Sequence, residues 1–323
     1  VTPYRQLCLL LVLLTLAGCG ESRVTDSDAT NSPSKQGKTS FRIGAVLPMF
    51  SHPFFVAQKQ GLEAKAKELG IEIDVRDGQD DDLKQITQVE ALLNRGIDLL
   101  ILCPRDEDAL IPAVEAANRA KVPVVTLNRR VNGGQVVAYV GADDAQGGQA
   151  QGKALVAALG SKGGKIIYLQ GTQGSSPQRK RNDGLQSVLK DHPEIIVADD
   201  RFTNFQEDKA KAVMSDLVRR HVKGEIRAIV TQADELAVPA AEVAKSEGWK
   251  DVMVIGFNGS KGAFEAIKSG ALLATILQDP VEQGQAAVSA AFDHLKGKAT
   301  GGDVITPLVL ITKANLDQHH PAY

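Results

Sequence analysis

The sequence predicts an α/β protein made of two doubly wound parallel-sheet domains. Short runs of Val, Ile and Leu alternate with segments of helical periodicity, and the alternation starts afresh after Gly141-Ala142-Asp143-Asp144. Once an amino-terminal leader is set aside, about 300 residues remain, which suits two domains of ordinary size.

In the first half, apolar runs at 42–47, 71–75, 98–102 and 122–127 are separated by helical patterns at 53–69, 82–95 and 107–120. Phe55, Leu62, Ala66 and Leu69 form one stripe of the first helix, while Lys59, Glu63, Lys65 and Glu68 mostly occupy its other faces, as expected of a helix covering a sheet. Pro53 suits the first helical position, and Gly70 and Gly96 stand where glycines end helices. The strand runs are nearly continuous in Val, Ile and Leu, which fits parallel strands covered on both faces. In the second half the strands are expected at 165–169, 194–198, 227–230, 252–257 and 273–277. The helices run to 159, start from 177, and cover 206–220, 234–247 and 261–269. A last helix at 281–296 precedes one more run at 304–311.

The amino terminus has the secretory pattern: Arg5, an apolar stretch over 7–16, then Leu16-Ala17-Gly18-Cys19. A cysteine at the cleavage point is the bacterial lipoprotein variant, so residues 1–18 are expected to be removed and Cys19 to carry lipid. The protein would then be anchored in the cell envelope without crossing a membrane. Residues 19–40 contain one large aliphatic side chain, Val24, too little to order the segment, and read as a tether of about 25 Å root-mean-square span. Only Cys103 remains in the folded body, so no internal disulfide forms; its place at a strand end without a cysteine-enzyme signature points to a buried structural thiol. Lys and Arg number 37 against 39 Asp and Glu, with no basic stripe interleaved with aromatics, which argues against nucleic acid. The six histidines show no metal-ligand spacing, no nucleophile elbow occurs, and the glycines of 170–176 lack the Gly-Lys-Ser/Thr ending of a phosphate loop. No cofactor, metal or catalytic activity is expected.

In open parallel sheets, ligands bind beyond the carboxyl ends of the strands. The candidates are therefore the strand-end residues. Phe54 lies off the apolar stripe beside Phe55, and in a chain with 4% aromatic residues the pair fits either a flat wall for a ligand or packing of the loop. His52 offers a donor, although a lone turn histidine is ordinarily solvated. Asn128-Arg129, Asn258 and Gln278 are polar where strand patterns stop, and amides with a guanidinium suit vicinal hydroxyls. For Asn258-Gly259 a turn is an equal explanation. Arg179-Lys180-Arg181 places positive charge in the first turn of a helix, against the macrodipole, so either a ligand-facing Arg181 or plain solvation must offset it.

His52-Pro53-Phe54-Phe55, residues 61–70, Thr126-Leu127-Asn128-Arg129, residues 141–147, Gln232-Ala233-Asp234-Glu235, residues 254–259 and residues 274–278 together resemble the periplasmic sugar-binding proteins of the ribose type. These share the type I periplasmic binding protein fold with the effector domains of lac-repressor-like regulators. The resemblance implies an interdomain cleft and three hinge crossovers, near Ala142, Gln278 and Pro307. The N-terminal domain would comprise 41–142 and 279–306, the C-terminal domain 143–278 and 307–323. It implies that Phe54, Phe55 and Phe205 stack on a sugar while Arg129, Arg181 and Gln278 bond its hydroxyls. Four positions depart from the ribose pattern: His52 stands for Asn, Asn128 and Asn258 for Asp, and Ala233 for Asn. The loss of two carboxylates predicts a more positive cleft, which suits either a sugar acid or, as the favoured reading, another neutral sugar or polyol. The function implied is that of a monomeric, lipid-anchored receptor of an ABC-type importer, closing on a monosaccharide or polyol and presenting it to a permease. The alternative is a sensory receptor serving a chemoreceptor or membrane kinase.

Overall fold

The structure, a computed structural model, describes residues 40–298 and 302–323. The expected leader, Cys19 and all of the tether except Ser40 lie outside the described residues. The first lobe is built by β1 (Arg42–Leu47), α1 (Pro53–Leu69), β2 (Glu72–Asp77), α2 (Asp82–Asn94), β3 (Leu99–Leu102), α3 (Ile111–Arg119), β4 (Val124–Leu127) and β5 (Ala138–Ala142). The chain then crosses into the second lobe: α4 (Asp144–Leu159), β6 (Gly164–Gln170), α5 (Ser176–Leu189), β7 (Ile195–Phe202), α6 (Glu207–Arg220), β8 (Ile226–Thr231), α7 (Asp234–Ser246), β9 (Met253–Asn258), α8 (Lys261–Ser269) and β10 (Ala274–Leu277). It returns through α9 (Pro280–Leu295), which packs on α1, and β11 (Val304–Thr306), then re-enters the second sheet as β12 (Val309–Thr312).

The sheet orders are β11-β5-β4-β3-β1-β2 and β12-β10-β9-β8-β6-β7, the same doubly wound arrangement twice. Central strands such as β3 and β4 are buried at every residue, as their unbroken apolar runs require. In bounds, α3 starts at Ile111 rather than at 107 and β7 runs on to Phe202 rather than ending at 198; in topology the structure departs from expectation in three places. The segment before Asp143 is strand β5 rather than only a turn. Its run Ala138-Tyr139-Val140-Gly141-Ala142 is short and half small residues, which hides it from a pattern search. The expected run at 304–311 is two strands, one in each sheet, broken at Pro307. Finally, β12 is antiparallel to β10, whereas the remaining pairs are parallel. Strands of both lobes end at the cleft, so a chain leaving the first lobe at its cleft end must run away from the cleft in the second.

Each lobe holds a helix pair in very close contact. A Cβ on Gly61 of α1 would lie 2.2 Å from the Val281 carbonyl oxygen of α9, and one on Gly284 of α9 would lie 2.4 Å from that of Gln58. The second lobe repeats the device: a Cβ on Gly148 of α4 would lie 2.1 Å from the Arg181 carbonyl oxygen, and one on Gly184 of α5 equally near that of Ala145. Gly61 and Gly184 are both the ninth residues of their helices, and Gly284 and Gly148 both the fifth. Backbone-to-backbone contact of this kind fixes the amino-terminal turns of α1 and α5, which face the cleft.

Candidate functional site

Between the carboxyl ends of the two sheets lies a small pocket, the place where open parallel sheets bind ligands. Its lining joins nine of the ten sequence candidates, His52, Phe54, Phe55, Asn128, Arg129, Arg181, Phe205, Asn258 and Gln278, with Pro177, which the sequence reading named only as a helix start. Ala233 is the exception. It caps α7 with no exposed surface and is not among the lining residues.

The loop after β1 builds one wall. Pro53 opens α1, and His52 caps it: Phe54 N–H donates to His52 Nδ1 at 3.2 Å. His52 is buried rather than solvated, and burial, outweighing the pull of Glu235, holds its pKa below the ordinary value of 6.5. A neutral ring whose Nδ1 accepts carries its proton on Nε2. Phe54 and Phe55 meet edge to face, centroids 5.5 Å apart and planes at 86°, with His52 5.5 Å from Phe55.

The two arginines differ in their surroundings. Arg181 Nε donates to Asp144 at 2.8 Å, one of its terminal nitrogens donates to the Gln232 carbonyl at 2.6 Å, and its guanidinium carbon lies 3.6 Å from the Phe257 ring centre. Burial nonetheless raises the Asp144 pKa against the pull of Arg181. Arg181 is thus held by the protein itself, while its neighbour Arg179 reaches Glu107 at 2.7 Å and Asp108 at 3.1 Å on the other lobe. Arg129 is 2% exposed and forms no ion pair among the described residues. It donates to the Arg105 carbonyl at 3.1 Å, and its Nε is buried without a partner. Its guanidinium carbon lies 5.2 Å from the Phe55 ring centre and 5.6 Å from that of Phe205, bridging the lobes.

Asn258 and Gln278 close the floor. Asn258 donates to Glu235 at 3.1 Å, and Gln278 donates to Asn258 at 2.9 Å. Glu235 also accepts from Tyr323 Oη at 2.6 Å and stands 3.7 Å from His52. Asp144 and Glu235 place two carboxylates beside the lining residues Arg181 and Asn258. Both were within quoted motifs, but nothing in spacing shows which strand-end neighbours face one another. Three lining residues, Asn128 at φ 60°, Phe205 at 57° and Asn258 at 118°, hold left-handed backbone, the kind of strain that structures retain at binding sites. Gly171 has no side chain because the Phe205 ring takes its place; a Cβ there would lie 1.9 Å from that ring. Cys103 is buried and free, and burial pushes its thiol up to about 12, so it is no nucleophile.

The lobes are in contact across the cleft mouth. Glu107 N–H donates to the Gly174 carbonyl at 3.1 Å, Arg130 N–H to Ser176 Oγ at 2.8 Å, and Gln206 Nε2 to Asp80 at 3.2 Å. Tyr323 lies edge-on to Phe54 at 5.9 Å while its carbonyl accepts from Lys261 N–H. The arrangement is a closed one.

A family model for the periplasmic binding protein domain matches residues 43–299. The chain is 35% identical over 305 residues to the ribose import binding protein of Bacillus subtilis, covering 94% of this chain and 97% of the relative. It is 29% identical over 304 residues to the xylitol-binding protein of Mycolicibacterium smegmatis, covering 94% and 83%. Among solved structures it resembles the Caulobacter myo-inositol binding protein bound to myo-inositol, with a TM-score of 0.82, 30% identity and coverage of 86% of this chain and 95% of that one. The doubly wound lobes, the cleft between their strand ends and these likenesses agree: the chain belongs to the ribose-type periplasmic binding proteins of the type I fold, a family of substrate-binding proteins rather than enzymes.

Proposed function

We propose that this protein is the extracytoplasmic receptor of an ABC-type sugar importer, lipid-anchored through Cys19, binding a neutral monosaccharide or polyol and closing on it as a monomer. The observation that carries this reading is the small cavity between the lobes, walled by Phe55 and Phe205 and set with amides and two guanidiniums. Aromatic faces cover the apolar faces of a sugar ring, while amides donate and accept at once, as vicinal hydroxyls require. The names of the relatives, which include ribose, xylitol and myo-inositol binders, support the same class. Closure selects a pre-existing state, with bending at the crossovers near Ala142, Gln278 and Pro307; the ligand must bind the closed form better than the open one.

The unpartnered Nε of buried Arg129 favours one variation, a ligand carrying a carboxylate. Calorimetric titration with D-ribose, D-apiose, xylitol, myo-inositol and the corresponding sugar acids separates the two. Saturable binding of a neutral compound at one site is the expected result; binding confined to the acids would replace the neutral reading, and heat from none of them would remove both.

A further inference from the structure

The amides under the cavity form a single directed chain. Asn258 Nδ2 donates to Glu235 Oε2, Gln278 Nε2 to Asn258 Oδ1, Gln283 Nε2 to Gln278 Oε1 at 3.0 Å, and Asn128 Nδ2 to Gln283 Oε1 at 3.1 Å. Gln58 Nε2 donates to the same Gln283 oxygen at 3.3 Å, and Gln283 Nε2 also meets Thr306 Oγ1 at 3.3 Å. Each amide has one donating and one accepting end, so every link fixes the next. A carboxylate only accepts, and Glu235 therefore sets the direction of the whole chain. At its far end Asn128 commits one Nδ2 hydrogen to Gln283, which fixes which side of the amide carries Oδ1 and leaves that oxygen free to accept. Asn258, Gln278, Gln283 and Asn128 are each at most 4% exposed. Reversing any one of them would set two oxygens or two amino groups against each other, with a buried polar group left unmatched at about 1–3 kcal/mol.

We infer that Gln283, a fully buried residue of α9 that does not line the cavity, is a specificity-determining positioning residue. It orients Asn128 so that the site offers a ligand hydroxyl an uncharged carbonyl oxygen where the ribose-type pattern has an aspartate. This rests on the polyhydroxy-ligand reading above. Its consequence is that positions 128 and 283 are coupled. An aspartate at 128 would bring a carboxylate oxygen against Gln283 Oε1, and Gln283 cannot turn over without setting its oxygen against that of Gln278. With an apolar residue at 283 the conflict disappears.

The test is a double-mutant cycle of Asn128→Asp and Gln283→Met, with Gln283→Leu as a second apolar variant should methionine not fold. The probes are D-ribose, xylitol and myo-inositol, followed by calorimetry, and each protein is also melted without ligand. Asn128→Asp is expected to weaken the best-bound probe about tenfold or more in the parent chain and by less than threefold in the Gln283→Met background. The melting temperature should follow the same order. Equal effects of Asn128→Asp in both backgrounds, or tighter binding in the parent background, overturn the assignment. If the parent binds none of the probes, the ligand reading fails by itself. The melting cycle then still decides the amide chain: a smaller loss in the methionine background supports it, and an equal loss overturns it.

Discussion

Arg129→Met should move stability and affinity in opposite directions. In the parent, a guanidinium 2% exposed sits without an ion-pair partner among the described residues. Desolvating an ion costs several kcal/mol even after relaxation. Against that cost stand the hydrogen bonds of one charged Nη1, to the Arg105 carbonyl at 3.1 Å and, at the 3.5 Å limit, to that of Pro104, worth about 1.5–3 kcal/mol, and two ring contacts beyond 5 Å, worth about 1 kcal/mol together. The sum leaves the ligand-free protein near its parent stability or up to about 2 kcal/mol more stable once methionine fills the space. Binding goes the other way. Losing one charge-assisted hydrogen bond from the unpartnered Nε costs roughly 1.5–3 kcal/mol, which is about 10- to 150-fold in dissociation constant. Thermal melts of the ligand-free variant and calorimetry with the best-bound neutral compound read the two effects separately. A variant destabilised by more than about 2 kcal/mol that binds as tightly as the parent would show that Arg129 is a structural residue and refute the reasoning.

Three further outcomes follow from the geometry. Gly284→Ala must push α9 about 1 Å from α1 to clear the Gln58 carbonyl, and overpacking of this kind costs about 1–3 kcal/mol; an unchanged melting temperature would show that the helix contact is slack. Arg179→Ala removes the ion pairs with Glu107 and Asp108 across the cleft mouth, and because Arg179 is 44% exposed the loss is worth only about 0.5 kcal/mol, a two- to threefold weaker affinity at low salt that vanishes near 1 M salt. Because the folded-state pKa of His52 is depressed, below about pH 6.5 the unfolded chain takes up a proton that the native ring refuses, so stability falls with pH there. His52→Asn keeps a helix cap and should flatten that acid-side loss between pH 7 and 5; superimposable pH profiles would count against it.

Much of the site was legible because topology decides it. In a doubly wound sheet the loops that can touch a ligand are those after the strands, so strand ends expected at Leu127, Phe257 and Leu277 already placed Asn128, Arg129, Asn258 and Gln278. The apolar periodicity of α1 singled out Phe54 because that residue fell off the stripe. Pairings across the fold were not legible. Asp144 and Glu235 stand beside lining residues, yet each meets its partner through tertiary contact, 37 residues away for Arg181 and 23 for Asn258. Gln283 was hidden for the same reason: on sequence it is one more polar residue in a helix, and only the packing of α9 against β4 brings it to Asn128. β5 was missed because its small residues carry little periodic signal, and β11 was merged with β12 because only Pro307 and Leu308 separate the two apolar runs.

Small-angle X-ray scattering with and without saturating ligand tests closure most directly, using whichever neutral compound of the titration panel binds best. On the proposed bending at the crossovers near Ala142, Gln278 and Pro307, two lobes held shut in this structure by contacts such as Arg179 with Glu107 should open in the absence of ligand and close around it. The radius of gyration should be smaller at saturation. An unchanged radius with calorimetry confirming full occupancy would contradict it.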